Sequence, residues 1–537
     1  MEKKSVMLYG VAVMENPYDR GRTSTGSSTI IRDSDVDMHL DSIDAIHNVH
    51  CHPAAFQDEF RDPVLTDIDH SLLESPHHSL APTTATTTTT QKQKYRVLGT
   101  VSLVGIVYFA TCGGPVGSEP LISAGGPLVG LLSIVAYALL CQFPLSLMVT
   151  ELCCAFPENG GYAVWAMTAF GPFWGFQVGY WSWIASVLNN AIYPGFIYAT
   201  MSEAYGIEAT SAVVEFFVKV LIAILLAVPS YVGVRFVGLG SLVLLVLVLL
   251  TTGIFTVWGF AESEHAWFRL SEVRSANETN IESTSGGIDW DLLIHALFWS
   301  FDGLYDVSVI GGEVINPART YPRVIVAAVL LAVLTYLLPW ISAVSADKMP
   351  WIEFTEDSLP NVADAIGGSV LHQFVLTSSV LSSIAMFSCT LFFQSFLVQG
   401  MAQSRLLPGL LRRRNARFRT PQYAILLSLI TTLCLLGFDF ESILNMTNAF
   451  SGFVQLSIVM SMLQLRRSFP YLPRPMKVPG NFTTLVIMLL PATAVFIFAI
   501  ITTFAELKLA LVVIGLAIPG FAFPMVRRSL AGRRACC

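Results

Sequence analysis

The sequence predicts an all-α, polytopic membrane protein of about twelve transmembrane helices, arranged as a five-plus-five inverted repeat with helices 1 and 6 broken. Three observations lead there. Apolar runs of about twenty residues, the length a helix needs to cross a bilayer, recur along most of the chain. Of 537 residues 53% are hydrophobic and only 13% charged, about half the charged share of a soluble globular domain. Two of the apolar runs are also interrupted midway by glycine, proline and acidic residues, and these two lie five spans apart.

In chain order, residues 1–94 are polar and acidic, hold seven of the ten histidines and include the threonine-rich run Pro82–Thr90. Such a composition buries too little apolar surface to offset chain entropy and predicts a disordered cytoplasmic tail. Irregular histidine spacing argues against a metal site there. The first residues lack a long apolar core and a small-residue cleavage site, so no signal peptide is read. Residues 95–526 then form the transmembrane domain, with spans at 97–124, 127–152, 170–203, 211–230, 236–260, 290–313, 323–345, 368–402, 421–438, 442–465, 483–504 and 507–526. Residues 527–537 form a short basic tail.

Lysine and arginine concentrate in alternate short loops: Lys92, Lys94 and Arg96, then Arg235, Arg319 and Arg323, then Arg412–Arg414, Arg417 and Arg419, then Arg466, Arg467, Arg474 and Lys477. The positive-inside rule puts both termini in the cytoplasm. The sequon Asn277-Glu278-Thr279 then falls in the longest outside loop, where glycosylation is chemically accessible. The net charge is −7 and the basic residues are spread over loops, which excludes a nucleic-acid surface. The plasma membrane is the expected location, with an intracellular membrane as the alternative.

The sixth span, within Leu293–Arg323, carries Asp302, Gly303 and Asp306 near its middle and ends in Gly311-Gly312-Glu313. A carboxylate at the bilayer centre costs roughly 2.5–3.5 kcal/mol on insertion scales, so two beside a glycine need a reason. Irregular backbone at that depth survives only where it is packed in protein or lines a wet cavity. The first span breaks through Gly113-Gly114-Pro115-Val116-Gly117-Ser118-Glu119. Interrupted segments at corresponding places in two halves are the best sequence pointer to a carrier's binding site. No phosphate loop, HExxH helix, CxxC pair or nucleophile elbow is present, which argues against a pump or an enzyme.

Several segments resemble the amino acid–polyamine–organocation transporter superfamily: Gly113-Gly114-Pro115-x-Gly117-x-Glu119, Thr150-Glu151-Leu152, Pro157-Glu158-Asn159-Gly160-Gly161-Tyr162 and Gly312-Glu313-Val314-x-Asn316-Pro317-x-Arg319. The wording is most similar to the polyamine uptake transporters of plants and protists, in the L-type amino acid transporter-like branch. The resemblance implies the LeuT-like fold and a secondary active carrier, with a proton as the coupling species and no other cofactor. Its expected partners are the lipid bilayer and a small cationic substrate such as putrescine or spermidine, or else an amino acid.

It also implies site residues. Gly114, Gly117, Ser118 and Glu119 stand where amino-acid carriers of the superfamily hold a carboxylate, and Glu119 would instead attract an ammonium group. Trp299 matches an aromatic that covers the substrate. Asp302, Gly303, Tyr305 and Asp306 flank the unwound turn, where an acid would hold the far amine or take the coupling proton; relatives carry their acid at the position of Tyr305. Trp181, Ser186 and Asn190 on span 3 are substrate-facing candidates, with Asn189 ranked below Asn190. Plant polyamine members have two glutamates where this chain has Ser388 and Thr390. Glu151, Glu158 and Glu313, near Arg235 and Arg319 in topology, are the expected inner gate.

Overall fold

A computed structural model describes residues 96–535, apart from 207–210, 264–266, 275–286, 356–357 and 439. The expected tail over 1–94 and the Asn277 sequon lie outside the described residues.

The described chain is helical, and its ordered pairing outside helices is limited to two isolated bridges, Leu98 with Val314 and Asn159 with Ile310. Span 1 runs Thr100–Thr111, unwinds over 112–119, and resumes as the single turn Pro120–Ser123. Pro120 opens that turn because the first helical position has no N–H to lose. Span 2, Pro127–Ala155, contains a wider π-helical turn at Ala138–Gln142. The sequence reading missed a connecting helix, Gly161–Phe170, which is delimited by Gly160 (φ 101°) and Gly171 (φ 95°).

Span 3 is a 34-residue helix, Pro172–Tyr205. Spans 4 and 5, Ala212–Val232 and Val234–Ala261, are separated by Gly233 alone. Span 6 begins as Trp290–Phe301 and then turns at Asp302-Gly303. Beyond that point it recovers only as 3₁₀ turns, Leu304–Val309 and Gly311–Glu313. Span 7 is Pro317–Ala346. Span 8 belongs to Leu359–Gln403, which is kinked at Gly368, the residue at which the sequence expected it to start. Spans 9 to 12 are Gln422–Leu435, Phe440–Ser468, Phe482–Ala505 and Leu507–Ala535.

Among the described residues eight helices are long and apolar enough to cross a membrane by themselves. The other four predicted spans fall short for identifiable reasons. Spans 1 and 6 are cut by their breaks, span 9 has 14 residues, and span 3 carries Gln177, Ser182, Ser186, Asn189 and Asn190 on one helix.

Span 11 shows how the outer helices sit. Leu485, Leu489, Ala492, Phe496, Ala499 and Thr503 are buried, one stripe at helical spacing, while Ile487, Leu490, Ile497 and Ile501 are exposed. That much exposed apolar surface suits hydrocarbon. In lipid, burial of leucine gives little net gain, so association rests on close packing of small residues and on internal hydrogen bonds. The contacts agree. A Cβ on Gly105 of span 1 would lie 2.9 Å from the Leu242 amide nitrogen of span 5, and one on Gly400 would lie 2.4 Å from Gly160.

Candidate functional site

The two breaks meet. Gly303 adopts φ 87°, a left-handed conformation that favours glycine, and a Cβ there would stand 2.0 Å from the Ala110 carbonyl oxygen. The last turn of span 1 therefore rests directly on the unwound turn of span 6. Asp302 ends the first half of span 6 in extended geometry (φ −70°, ψ 167°), and its carboxylate accepts a 2.8 Å hydrogen bond from Gln455 Nε2 of span 10. Asp306 lies in the following 3₁₀ turn and accepts from Tyr162 OH at 3.1 Å. With that proton committed, Ser182 Oγ is the donor across its 2.5 Å contact with Tyr162 OH. The Tyr305 ring meets Tyr162 edge-on, with centroids 5.3 Å apart.

Between these groups is a narrow central cavity of about 40 Å³, enough for about three waters. Spans 1, 3, 6, 7, 8 and 10 all contribute to its wall. Ser186, Asn189 and Tyr193 come from span 3, Trp299, Asp302, Gly303, Tyr305 and Asp306 from span 6, Thr390 from span 8, and Thr447 and Ser451 from span 10. Trp299 Nε1 donates to Asn189 Oδ1 at 3.3 Å, and Asn189 Nδ2 donates to Tyr193 OH at 2.9 Å. The six-membered ring of Trp299 packs against Gly117, where a Cβ would stand 3.2 Å from two ring carbons. Two carboxylates line the cavity, and among its described lining residues there is no lysine, arginine or histidine. Charges at that depth are tolerated when paired, so a cation or a proton is the natural complement.

The structure thus gathers Ser186, Trp299, Asp302, Gly303, Tyr305, Asp306 and Thr390 at the cavity, and it moves the remaining candidates elsewhere. Ser118 Oγ hydrogen-bonds the Pro115 carbonyl and accepts from Trp340 Nε1 at 2.8 Å, so its hydroxyl braces the break. Glu119 is fully buried at the start of the Pro120–Ser123 turn and does not line the cavity. Gly114 and Gly117 hold positive φ (109° and 81°) that lets span 1 unwind, and neither forms part of the wall. Trp181 packs on Phe453 and Phe521 at 5.5 and 6.3 Å, against spans 10 and 12. Asn190 is fully buried off the cavity, and its neighbour Asn189 takes the position expected of it. Ser388 turns to span 4, where its hydroxyl donates to the Leu226 carbonyl at 3.2 Å.

Two of the acids expected at the inner gate, Glu151 and Glu313, pair with cations other than those topology suggested. Glu151, fully buried, accepts from Arg466 Nε and Nη2 at 3.0 and 2.5 Å and from the Val478 amide at 2.7 Å, with Arg474 Nε 3.0 Å away. Burial pushes the Arg474 pKa down from its ordinary value, and Glu151 works against that. Glu313 accepts from Arg414 Nη2 at 2.6 Å, and Arg414 also donates to Gln399 at 3.1 Å. Arg235 and Arg319 are exposed, and neither makes the pairing with these carboxylates that topology suggested. The Glu158 main chain lies against Gly311, packed so tightly that a Cβ there would lie 2.6 Å from the Glu158 carbonyl oxygen. The Gly160 amide donates to Val309 O at 3.0 Å, the Gly312 amide to Asn159 Oδ1 at 2.8 Å, and Arg96 Nη1 to Val314 O at 2.8 Å. This face is closed by main chain as well as by charge.

The sequence reading missed Tyr162, Gln455, Arg414, Arg466 and Arg474. In the sequence the three arginines read only as markers of orientation. Tyr162, inside the Glu158–Tyr162 motif, was the one with a local signal.

Comparison with known proteins gives this architecture a family. A family model described as "Amino acid permease" matches residues 98–519. The chain belongs to the amino acid permease family. The permease is 28% identical over 440 residues to the polyamine transporter RMV1 of Arabidopsis thaliana, covering 81% of this chain and 87% of that one. It is 30% identical over 439 residues to the polyamine transporter PUT1 of Oryza sativa subsp. japonica, covering 82% and 80%. An uncharacterized transporter of Mycobacterium tuberculosis, Rv1999c, is 25% identical over 336 residues, covering 60% of this chain. The permease is an integral, multi-pass membrane transporter, and its family is one of transporters, not enzymes.

Proposed function

We propose that the permease is a proton-coupled secondary carrier of polyamines such as putrescine and spermidine, working by alternating access. One observation carries the reading: Asp302 and Asp306 face a cavity between two broken helices whose described lining holds no basic residue. An ammonium group gains from both carboxylates in a poorly screened site, whereas a substrate carboxylate would be repelled. Trp299 offers its indole face to a bound cation, and Ser186 and Thr390 offer hydroxyl acceptors. The plant relatives named as polyamine transporters support the same substrate class.

In this reading Asp306, held by Tyr162, and Asp302, held by Gln455, divide two tasks, substrate amine and coupling proton. The Glu313–Arg414 pair and the backbone lock around Gly160 and Gly312 close the inner face. Rocking of the bundle about the two broken helices opens it. The N-terminus lies in the cytoplasm, as the arginine-rich loops favour, and the plasma membrane is the proposed location.

The test is uptake of labelled putrescine, arginine and leucine into proteoliposomes under an imposed proton gradient. Saturable putrescine uptake that collapses with a protonophore is expected. Saturable leucine uptake without putrescine uptake overturns the polyamine reading and leaves an amino-acid carrier of the same fold.

A further inference from the structure

On the face that carries the arginine-rich loops, a crevice of about 570 Å³ opens between the start of span 5 and the loop after span 8. Its walls differ. Arg235, Arg414 and Arg417 form one side, and among the described lining residues the one carboxylate is Glu313, which Arg414 already engages at 2.6 Å. The other side is apolar and continues onto the bilayer-facing surface of span 5 through Phe236 and Leu239, 55% and 63% exposed. Arg235 and Arg417 are exposed, and no carboxylate among the described residues pairs with either.

The crevice is braced by contacts between its walls. Thr420 Oγ1 donates to the Tyr231 carbonyl at 2.9 Å, and the Tyr231 and Phe418 rings lie 5.7 Å apart, fixing the loop against the end of span 4. The 28-residue span 5 starts at the crevice from Gly233, which supplies no side-chain cap. Its leading amides and positive dipole end therefore add to the arginines. An excess of guanidinium groups at the membrane boundary, with an apolar wall leading into the hydrocarbon, has the chemistry of a phosphorylated lipid: guanidinium forks for phosphate oxygens and a greasy surface for acyl chains.

We propose that this crevice binds the phosphate-bearing headgroup of an anionic phospholipid, with Arg235 and Arg417 as its principal contacts and the acyl chains along Phe236 and Leu239. The inference does not depend on which substrate the permease carries. Because Arg414 serves both this crevice and Glu313, a bound phosphate competes with Glu313 and loosens the inner closure.

The test uses the full chain in phosphatidylcholine nanodiscs, titrated with a short-chain phosphatidylinositol 4-phosphate and read by native mass spectrometry and thermal shift. A one-to-one adduct with an upward Tm shift is expected. It should be about 30-fold weaker in the Arg235→Gln/Arg417→Gln double variant, which loses two charged contacts, and unchanged in Arg467→Gln, whose exposed arginine lies outside this crevice. Each single variant, Arg235→Gln or Arg417→Gln, weakens binding by a smaller factor, which keeps the test open if the double variant misfolds. Equal binding by native and substituted proteins overturns the proposal. So does a Tm shift with inorganic phosphate as large as with the lipid, which would assign the crevice to a soluble anion.

Discussion

Asp306 shows what a single side chain contributes. Its carboxylate faces the cavity and accepts one hydrogen bond, from a tyrosine that Ser182 in turn holds in place. Asp306→Asn keeps the shape and removes the charge, so putrescine uptake should fall at least tenfold, about 1.4 kcal/mol in the barrier, measured as kcat/KM in proteoliposomes. Tyr162→Phe removes only the tether and should act in the same direction with a smaller loss. Glu119→Gln should leave the apparent KM for putrescine close to native, because that carboxylate is not in the cavity wall. A diamine KM that rises as steeply in Glu119→Gln as in Asp306→Asn would return the recognition role to Glu119. Asp302 and Asp306 were legible in the sequence because acids beside a glycine at mid-bilayer need a reason, and Trp299 was legible only through the family resemblance. Asn189 and Asn190 were not separable, since neighbours on a helix differ by about 100° in direction and the sequence does not give the helix's rotation.

At the scale of elements, close backbone approach does what hydrophobic burial does in water-soluble proteins. Gly303→Ala puts a methyl group on the Ala110 carbonyl. Overpacking costs typically about 1–3 kcal/mol when neighbours relax, and here the neighbour is main chain. A lowered Tm in detergent and loss of uptake are expected together; native Tm with lost uptake would mean the glycine serves motion and not packing. Arg466→Ala leaves Glu151 buried beside Arg474 alone and should destabilise by about 3–5 kcal/mol, the usual effect of breaking a buried pair, read from thermal unfolding. The breaks in spans 1 and 6 were legible because glycine, proline and acids punctuate an apolar run. The pairing of Glu151 with Arg466 was not, since 315 residues separate them. Nor was the weak recovery of span 6, where Gly311 and Gly312 accept 3₁₀ turns in exchange for contact with Glu158 and Asn159.

For the whole molecule, the inner closure proposed above and the acid-lined cavity together predict how access changes. Thr390→Cys in a cysteine-free background places a thiol on the cavity wall. From the cytoplasmic side that thiol should react slowly with a membrane-impermeant maleimide, and faster once Glu313→Gln removes the Arg414 pair. An unchanged rate would assign closure to the backbone contacts at Gly160 and Gly312 alone. The number of spans was readable because hydrocarbon thickness fixes helix length. The connecting helix Gly161–Phe170 escaped notice because its apolar residues run on into span 3, with only Gly171 at φ 95° between them.

The π-helical turn in span 2 has one more implication. A π turn holds one residue more than an α turn in the same stretch, and Glu151 lies downstream of it on the same helix. Ordinary α winding through Ala138–Gln142 with every residue kept would swing everything beyond by about 100°, carrying Glu151 away from its arginines, whereas deleting one residue there would restore α winding with Glu151 still aimed at them. The wider turn thus works as a phase setting, which aims a distant acid from within the lipid.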